Sequence, residues 1–190
     1  MEQATVLEIL KSGKNVFMTG PAGTGKTHVL NQYIRHLKER KVYPSILAPT
    51  GIAASHLGGQ TIHSFFSLGI REQVDQEFLD SLCDKKNLQS RFSKLKVLII
   101  DEVSMISPTI FTSMDLILKA FKKSALPFGG VQVILSGDFF QLPPISRNNP
   151  SKRFAWQAPE WKELELRTCY LEKKFRQVDD PIIFILDEIR

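Results

Sequence analysis

Several features that define other protein classes are missing from this chain of 190 residues. It has two cysteines, Cys83 and Cys169, which lie far apart, so neither a disulfide framework nor a zinc site can be built from them. An iron–sulfur cluster would need four thiolates and is also excluded. We therefore expect two reduced, packed thiols in a reducing compartment.

Long apolar segments are absent as well. No apolar run reaches the roughly 18 residues that a membrane-spanning helix needs, so no membrane partner is expected. The first residues mix acidic and polar side chains with apolar ones, unlike a signal or transit peptide. These patterns predict an intracellular protein, cytoplasmic in a bacterium and nuclear or mitochondrial in a eukaryote.

Acidic residues are too few to balance the basic ones, and the net charge is +5. That mild excess permits a polyanionic partner, but a basic surface that only keeps the protein soluble explains it equally well. Apolar residues make up 43% and charged residues 24%, as in ordinary globular proteins. The length suits a single domain, which we assign to residues 1–190.

Apolar segments alternate along the chain with segments of helical periodicity. The apolar ones predict buried strands, at Asn15–Thr19, Ser45–Ala48, Lys96–Ile100, Val131–Ser136 and Leu164–Leu171. The others predict helices, at residues 2–12, Lys26–Arg40, Gly51–Leu57, Thr109–Lys123 and after Asp179. Uninterrupted apolar strands between helices are typical of an α/β fold with a parallel sheet covered on both faces. The polar residues 67–94 interrupt this pattern and predict a short accessory insertion.

A glycine-rich loop follows the first predicted strand and precedes a predicted helix, the context that a phosphate-binding P-loop requires. Its backbone N–H groups and the helix N-terminus would bind the phosphates of a nucleotide. Lys26 would reach the β- and γ-phosphates, and the Thr27 hydroxyl would bind Mg²⁺. A dinucleotide-binding loop is disfavoured because His28 stands where its third glycine should be. The candidate nucleotide-binding residues are Gly20, Pro21, Ala22, Gly23, Thr24, Gly25, Lys26, Thr27 and His28.

Two carboxylates follow the third predicted strand. Asp101 would project at the carboxyl edge of the sheet, where the P-loop also lies, and is a candidate ligand of Mg²⁺ through water. Glu102 is the candidate general base that activates the attacking water. Metal-assisted hydrolysis of a nucleoside triphosphate is therefore expected.

A glutamine follows the fourth predicted strand, in the segment Gly137–Pro144. Gln141 can donate to a γ-phosphate oxygen and accept from the attacking water without competing for the metal. A small-molecule kinase has no use for this segment. A GTPase is disfavoured because the chain has no guanine-reading Asn-Lys-x-Asp element.

Taken in order, these motifs resemble the first RecA-like domain of the superfamily 1 DNA helicases of the Pif type (petite integration frequency). The resemblance covers nearly the whole chain, and its most specific parts are residues 101–106 and the pairing of residues 127–130 with the glutamine segment. The matching segments are Gln3, Gly20–Thr27, Ala48–Ala54, Thr61–Phe65, Ile100–Ile106, Pro127–Gly130, Gly137–Pro144 and Phe175–Gln177. The resemblance implies an ATP- and Mg²⁺-dependent motor that moves 5′ to 3′ on single-stranded DNA and unwinds duplexes in repair, recombination or telomere maintenance.

The resemblance also implies roles for single residues. Gln3 resembles the glutamine that reads the adenine edge, and Arg176 resembles the arginine that reaches the γ-phosphate. The DNA strand is expected at Pro49, Thr50, Gly51, His63 and Phe65. Phe65 and the phenylalanine after it could stack on bases, but they are equally compatible with core packing.

A motor of this family needs a second RecA-like domain to close the nucleotide site, and this chain contains no matching segment. The expectation is a monomeric first motor domain with little turnover of its own. Two alternatives stay open: a nucleotide-gated DNA-binding module without motor activity, and another P-loop ATPase that acts on a protein partner.

Overall fold

A computed structural model describes residues 1–71, 73–144 and 154–173. Six parallel strands form a single sheet in the order β3-β2-β4-β5-β1-β6. The strands are β1 Val16–Thr19, β2 Ser45–Ala48, β3 Gln60–Thr61, β4 Val97–Ile100, β5 Gln132–Ser136 and β6 Arg167–Tyr170. The predicted parallel sheet is confirmed.

Helices separate most of these strands. Within the described residues the α-helices are α1 Gln3–Lys11, α2 Lys26–Glu39, α3 Gly51–Ser55, α4 Ile62–Phe65, α5 Gln76–Cys83, α6 Lys86–Lys94, α7 Pro108–Lys122 and α8 Pro159–Glu163. Their ends follow local chemistry. In α7, for example, the Ser107 hydroxyl accepts a hydrogen bond from the Ile110 amide and Pro108 occupies the first turn.

Both faces of the sheet are covered, and successive strand residues alternate between two apolar cores. Val16, Met18 and Ile99 belong to the core formed with α1 and α2. Phe17 and Leu98, each one position away, belong to the larger core on the other face, together with α4 to α8. All five side chains are at most 9% exposed, which explains why the strands are apolar throughout.

The residues between β3 and β4 differ most from the sequence-based expectation. The strand β3 is only two residues long and polar, so no apolar pattern predicted it. Residues 76–94 form the helices α5 and α6, and Leu82, Leu88 and Phe92 from these helices are fully buried in the larger core. The accessory segment is therefore packed against the same core as the strands on either side of it.

Cys83 and Cys169 are free thiols; Cys169 is buried in β6, as expected for a packed thiol, whereas Cys83 is only partly buried. No helix among the described residues has the length and apolar character to cross a bilayer.

Candidate nucleotide and DNA site

Three neighbouring strands, β4, β5 and β1, end at the same edge of the sheet, and a candidate site segment follows each of them. A cavity of about 630 Å³ opens between these segments. Its lining brings together most residues that the sequence predicted for the nucleotide: Gln3, Ala22, Gly23, Gly25, Lys26, Thr27, His28, Asp101, Glu102 and Gln141. His56 completes the lining.

The loop from Gly20 to Gly25 leaves β1 and turns directly into α2. Gly25 is the N-terminal cap in the left-handed region, at φ 85°, and no side chain caps the helix. A side chain at Gly20 would collide with the Leu171 carbonyl oxygen. The Thr24 hydroxyl donates to the Pro21 carbonyl at 2.9 Å and fixes the turn from inside. The first N–H groups of α2 are thus available to an anion at the cavity.

Lys26 holds this loop in shape. Its ammonium donates to the carbonyl oxygens of Gly20 at 2.7 Å and Pro21 at 3.0 Å. The positive charge of Lys26 therefore stands within the loop where phosphates would bind.

Gln3 closes the loop from the side of α1. Its amide nitrogen donates to the Thr24 carbonyl at 3.1 Å. The approach to Gly25 is so close that a side chain there would collide with the same amide. Gln3 is thereby fixed on the cavity wall with its amide carbonyl oxygen still able to accept a hydrogen bond.

Asp101 and Glu102 leave β4 on the opposite wall. The Asp101 amide donates to the Leu47 carbonyl at 2.9 Å, and its side chain is 8% exposed. Glu102 takes a left-handed conformation at φ 54°, which is uncommon for a residue other than glycine. Gly137 lies behind it, and a side chain at that position would press on the Val103 amide. Asp101 and Glu102 line the same cavity as the P-loop residues.

The environment of Glu102 suits a base. Burial, followed by the neighbouring Asp101 charge, raises the pKa of the Glu102 carboxyl, while Lys26 and His56 act in the opposite direction. A raised pKa brings the carboxylate closer to the range in which it accepts a proton efficiently.

Gln141 reaches the cavity from the loop after β5. Its amide nitrogen lies 3.4 Å from a carboxylate oxygen of Asp138, and its backbone N–H donates to the Asp138 carbonyl at 2.9 Å. Asp138 is itself 3% exposed and accepts from the Phe140 amide at 3.2 Å. This buried aspartate therefore holds the loop and the glutamine side chain together.

The side chains present fit a magnesium ion. Thr27 and Asp101 line one cavity and offer the hydroxyl and carboxylate oxygens that Mg²⁺ prefers. Among the described residues no hydrogen bond or ion pair engages the Asp101 carboxylate. No cluster of three metal-binding side chains occurs in the part of the chain that the structure describes.

His56 is a site residue that sequence reasoning missed. It follows α3 directly, and its N–H donates to the Ala53 carbonyl at 3.3 Å. The predicted DNA segment Pro49–Gly51 stands at the other end of this short helix, where the Thr50 hydroxyl accepts from the Ala53 amide at 3.2 Å. Apart from the adjoining backbone, no atom of the described residues would lie within 4 Å of a side chain at Gly51, so this end of α3 is open among those residues.

Of the two roles that the sequence left open for Phe65 and Phe66, the structure supports core packing and not base stacking. Phe65 is 2% exposed and Phe66 is fully buried, and their rings pack against each other with centroids 5.1 Å apart. A base cannot reach either face. His63, on the same turn of helix α4, is half-buried and stays a candidate for DNA contact. Arg176 lies outside the described residues, as does the predicted helix after Asp179.

Comparison with known proteins places these motifs in one family. The family model "PIF1-like helicase" matches residues 1–182. The ATP-dependent DNA helicase Pif1 of Psychrobacter sp. is 45% identical over 179 residues, which are 93% of this chain and 27% of the relative.

Solved structures agree. The Pif1 helicase of Candida albicans superposes with a TM-score of 0.84 at 36% identity, over 94% of this chain and 40% of the other. The Pif1 helicase of Bacteroides in complex with ADP-AlF3 and single-stranded DNA superposes with a TM-score of 0.82 at 32% identity. The match covers 98% of this chain and 44% of the other. The RecA-like fold is confirmed, and the chain spans less than half the length of these relatives.

Proposed function

The chain belongs to the PIF1-like helicase family, and on that premise we propose that it is the nucleotide-binding motor domain of an ATP-dependent DNA helicase. The observation that carries the proposal is the single cavity that collects Lys26, Asp101, Glu102 and Gln141 from three adjacent strand ends. The P-loop would bind the phosphates, the two acidic residues would support metal-assisted hydrolysis, and Gln141 would sense the γ-phosphate.

Each side chain has a separate task in this proposal. The P-loop amides and Lys26 bind the phosphates, while Gln3 accepts a hydrogen bond from the adenine amino group. Glu102 takes a proton from the attacking water, and Gln141 orients that water. Bound Mg²⁺, held by Thr27 and Asp101, would neutralise charge on the phosphate oxygens. Arg176 is proposed to stabilise the γ-phosphate charge.

Single-stranded DNA is the proposed track, and the Bacteroides complex with single-stranded DNA supports this choice. Pro49, Thr50 and Gly51 would receive a backbone phosphate at the open end of α3, and His63 would add a second contact. We further propose 5′ to 3′ movement, a second RecA-like domain as partner, a monomeric state and an intracellular role in DNA repair, recombination or telomere maintenance.

A second candidate is a nucleotide-gated DNA-binding module without motor activity. This alternative is favoured by the length of the match, since the chain corresponds to only 27% of the Psychrobacter helicase. A P-loop ATPase that acts on a protein partner is the remaining alternative.

The test is the rate of ATP hydrolysis by the full-length gene product with and without single-stranded oligonucleotides. We expect stimulation by DNA in the wild type. In the variant Gln141→Ala we expect stimulation to fall about 10-fold, because the glutamine aligns the water that DNA-bound protein must activate. ATP affinity should change less than twofold. Hydrolysis that is insensitive to DNA would favour the protein-partner alternative.

Loss of Gln3 should weaken base selectivity. In Gln3→Ala we expect the preference for ATP over GTP to fall about 10-fold, since one hydrogen bond to the adenine edge is worth roughly 1–2 kcal/mol. Competition binding with a fluorescent ATP analogue measures it. Gln76→Ala, on the distant helix α5, is the matched control. An unchanged ATP-to-GTP ratio would remove Gln3 from the nucleotide site.

A further inference from the structure

The helix α4 is a single turn that cannot hold its shape alone. It spans four residues, Ile62–Phe65, and carries the candidate DNA contact His63. At its N-terminus the Thr61 hydroxyl accepts from the Ser64 amide at 3.3 Å. Because one hydrogen-bonded turn does not repay the entropy of forming it, contacts from elsewhere must keep this turn in place.

Arg91 supplies such a contact at the opposite end of the turn. Its guanidinium, 26 residues further along the chain, donates to the Phe65 carbonyl oxygen at 2.5 Å in a part-buried setting. The guanidinium carbon also lies 5.3 Å from the centre of the Phe65 ring. A cation at the last carbonyl of a helix satisfies an acceptor that the helix leaves open and matches its partial negative charge.

Aromatic packing fixes Arg91 in this position. Its neighbour Phe92 is fully buried and lies 5.4 Å from Phe65, 5.5 Å from Phe66 and 4.7 Å from Phe121, measured between ring centroids. These contacts fix the rotation of α6 about its axis and its position along α4. The packing of Phe92 therefore places the adjacent Arg91 next to α4.

We propose that Arg91 is a positioning residue for DNA binding, and that the accessory helix α6 serves to hold the His63 turn in place. The inference rests on the proposed function, because it takes His63 as a DNA contact. Arg91 acts through α4 and touches neither nucleotide nor metal, since it is absent from the lining of the nucleotide cavity.

The variant Arg91→Met keeps an unbranched apolar stem and removes the guanidinium with its donors. We expect the Kd for a single-stranded oligonucleotide, measured by fluorescence anisotropy, to rise about 10-fold. ATP affinity should stay within twofold. Arg91→Lys restores a cationic donor, so it should recover part of the affinity. Lys94→Met, exposed on the same helix, is the matched control and should bind DNA within about twofold of wild type, as expected for one peripheral charge.

Hydrogen exchange provides a readout that does not depend on DNA. The amides of Phe66 and Leu68 donate to the carbonyls of Ile62 and His63 at 3.0 and 2.9 Å, so their exchange should accelerate in Arg91→Met. Unchanged DNA affinity of Arg91→Met would overturn the inference, whether or not the exchange of these amides accelerates. If Arg91→Met does not fold, the same two measurements are made on Arg91→Gln, which lacks the positive charge, and DNA affinity within twofold of the wild type would overturn the inference. Wild-type protein that binds no DNA would instead refute the proposed function, and the inference with it.

Discussion

Replacing Lys26 with alanine is expected to weaken ATP binding by at least ~100-fold and to remove measurable hydrolysis. The ammonium already stands in the loop, on the carbonyl oxygens of Gly20 and Pro21, so bound phosphates lose their nearest positive charge. A hydrogen bond between charged groups contributes about 1.5–3 kcal/mol, so losing two bonds from the ammonium to the phosphates accounts for the expected fall in ATP affinity. Calorimetric titration with ATP measures it.

The same change removes two hydrogen bonds within the P-loop, so folding must be checked separately. Thermal unfolding of Lys26→Ala without nucleotide should remain cooperative, because the loop is anchored independently by Thr24 and Gln3. Lys38→Ala lies in the last turn of the same helix and is the matched control. Unaltered ATP affinity in Lys26→Ala would show that phosphates bind elsewhere and would refute the proposed site.

The nucleotide half of the site was predictable because each of its parts is local. A glycine-rich loop between an apolar strand and a helix predicts a phosphate site from adjacent residues alone, and Asp101 follows its strand in the same way. The parallel sheet then guarantees that these strand ends meet at one edge. This prediction did not require knowledge of the order of the strands in the sheet.

The remaining parts depend on packing between distant segments. His56 lies 46 positions before Glu102, and only the orientation of the short helix α3 brings it to the cavity. Phe65 shares a turn with His63, yet one side chain is buried and the other is half-exposed, and a four-residue helix has no periodicity from which to predict this. The polar pair in β3 gave no strand pattern for the same reason.

The variant Glu102→Gln is expected to retain ATP binding and to lose hydrolysis by a factor of about 10²–10⁴, the usual contribution of a general base. Glutamine keeps the size of the side chain but cannot take the proton from water. Single-turnover hydrolysis at saturating ATP and Mg²⁺ measures the loss. Wild-type hydrolysis should also decrease at acidic pH, because protonation of the Glu102 carboxylate removes the base.

The same substitution should stabilise the fold. Burial and the Asp101 charge raise the pKa of Glu102 above 4.5, so the ionised carboxylate is less favourable in the folded than in the unfolded chain. The stability that this group contributes is fully present below pH 4.5 and is lost as the pH rises through its folded pKa. In buffer without metal or nucleotide, Glu102→Gln should therefore match the wild-type Tm near pH 4 and exceed it at pH 8. The exposed Glu39→Gln is the control. Normal ATP hydrolysis by Glu102→Gln would refute the assignment of Glu102 as the base. Equal Tm values of Glu102→Gln and the wild type at pH 8 would refute the electrostatic account of this site.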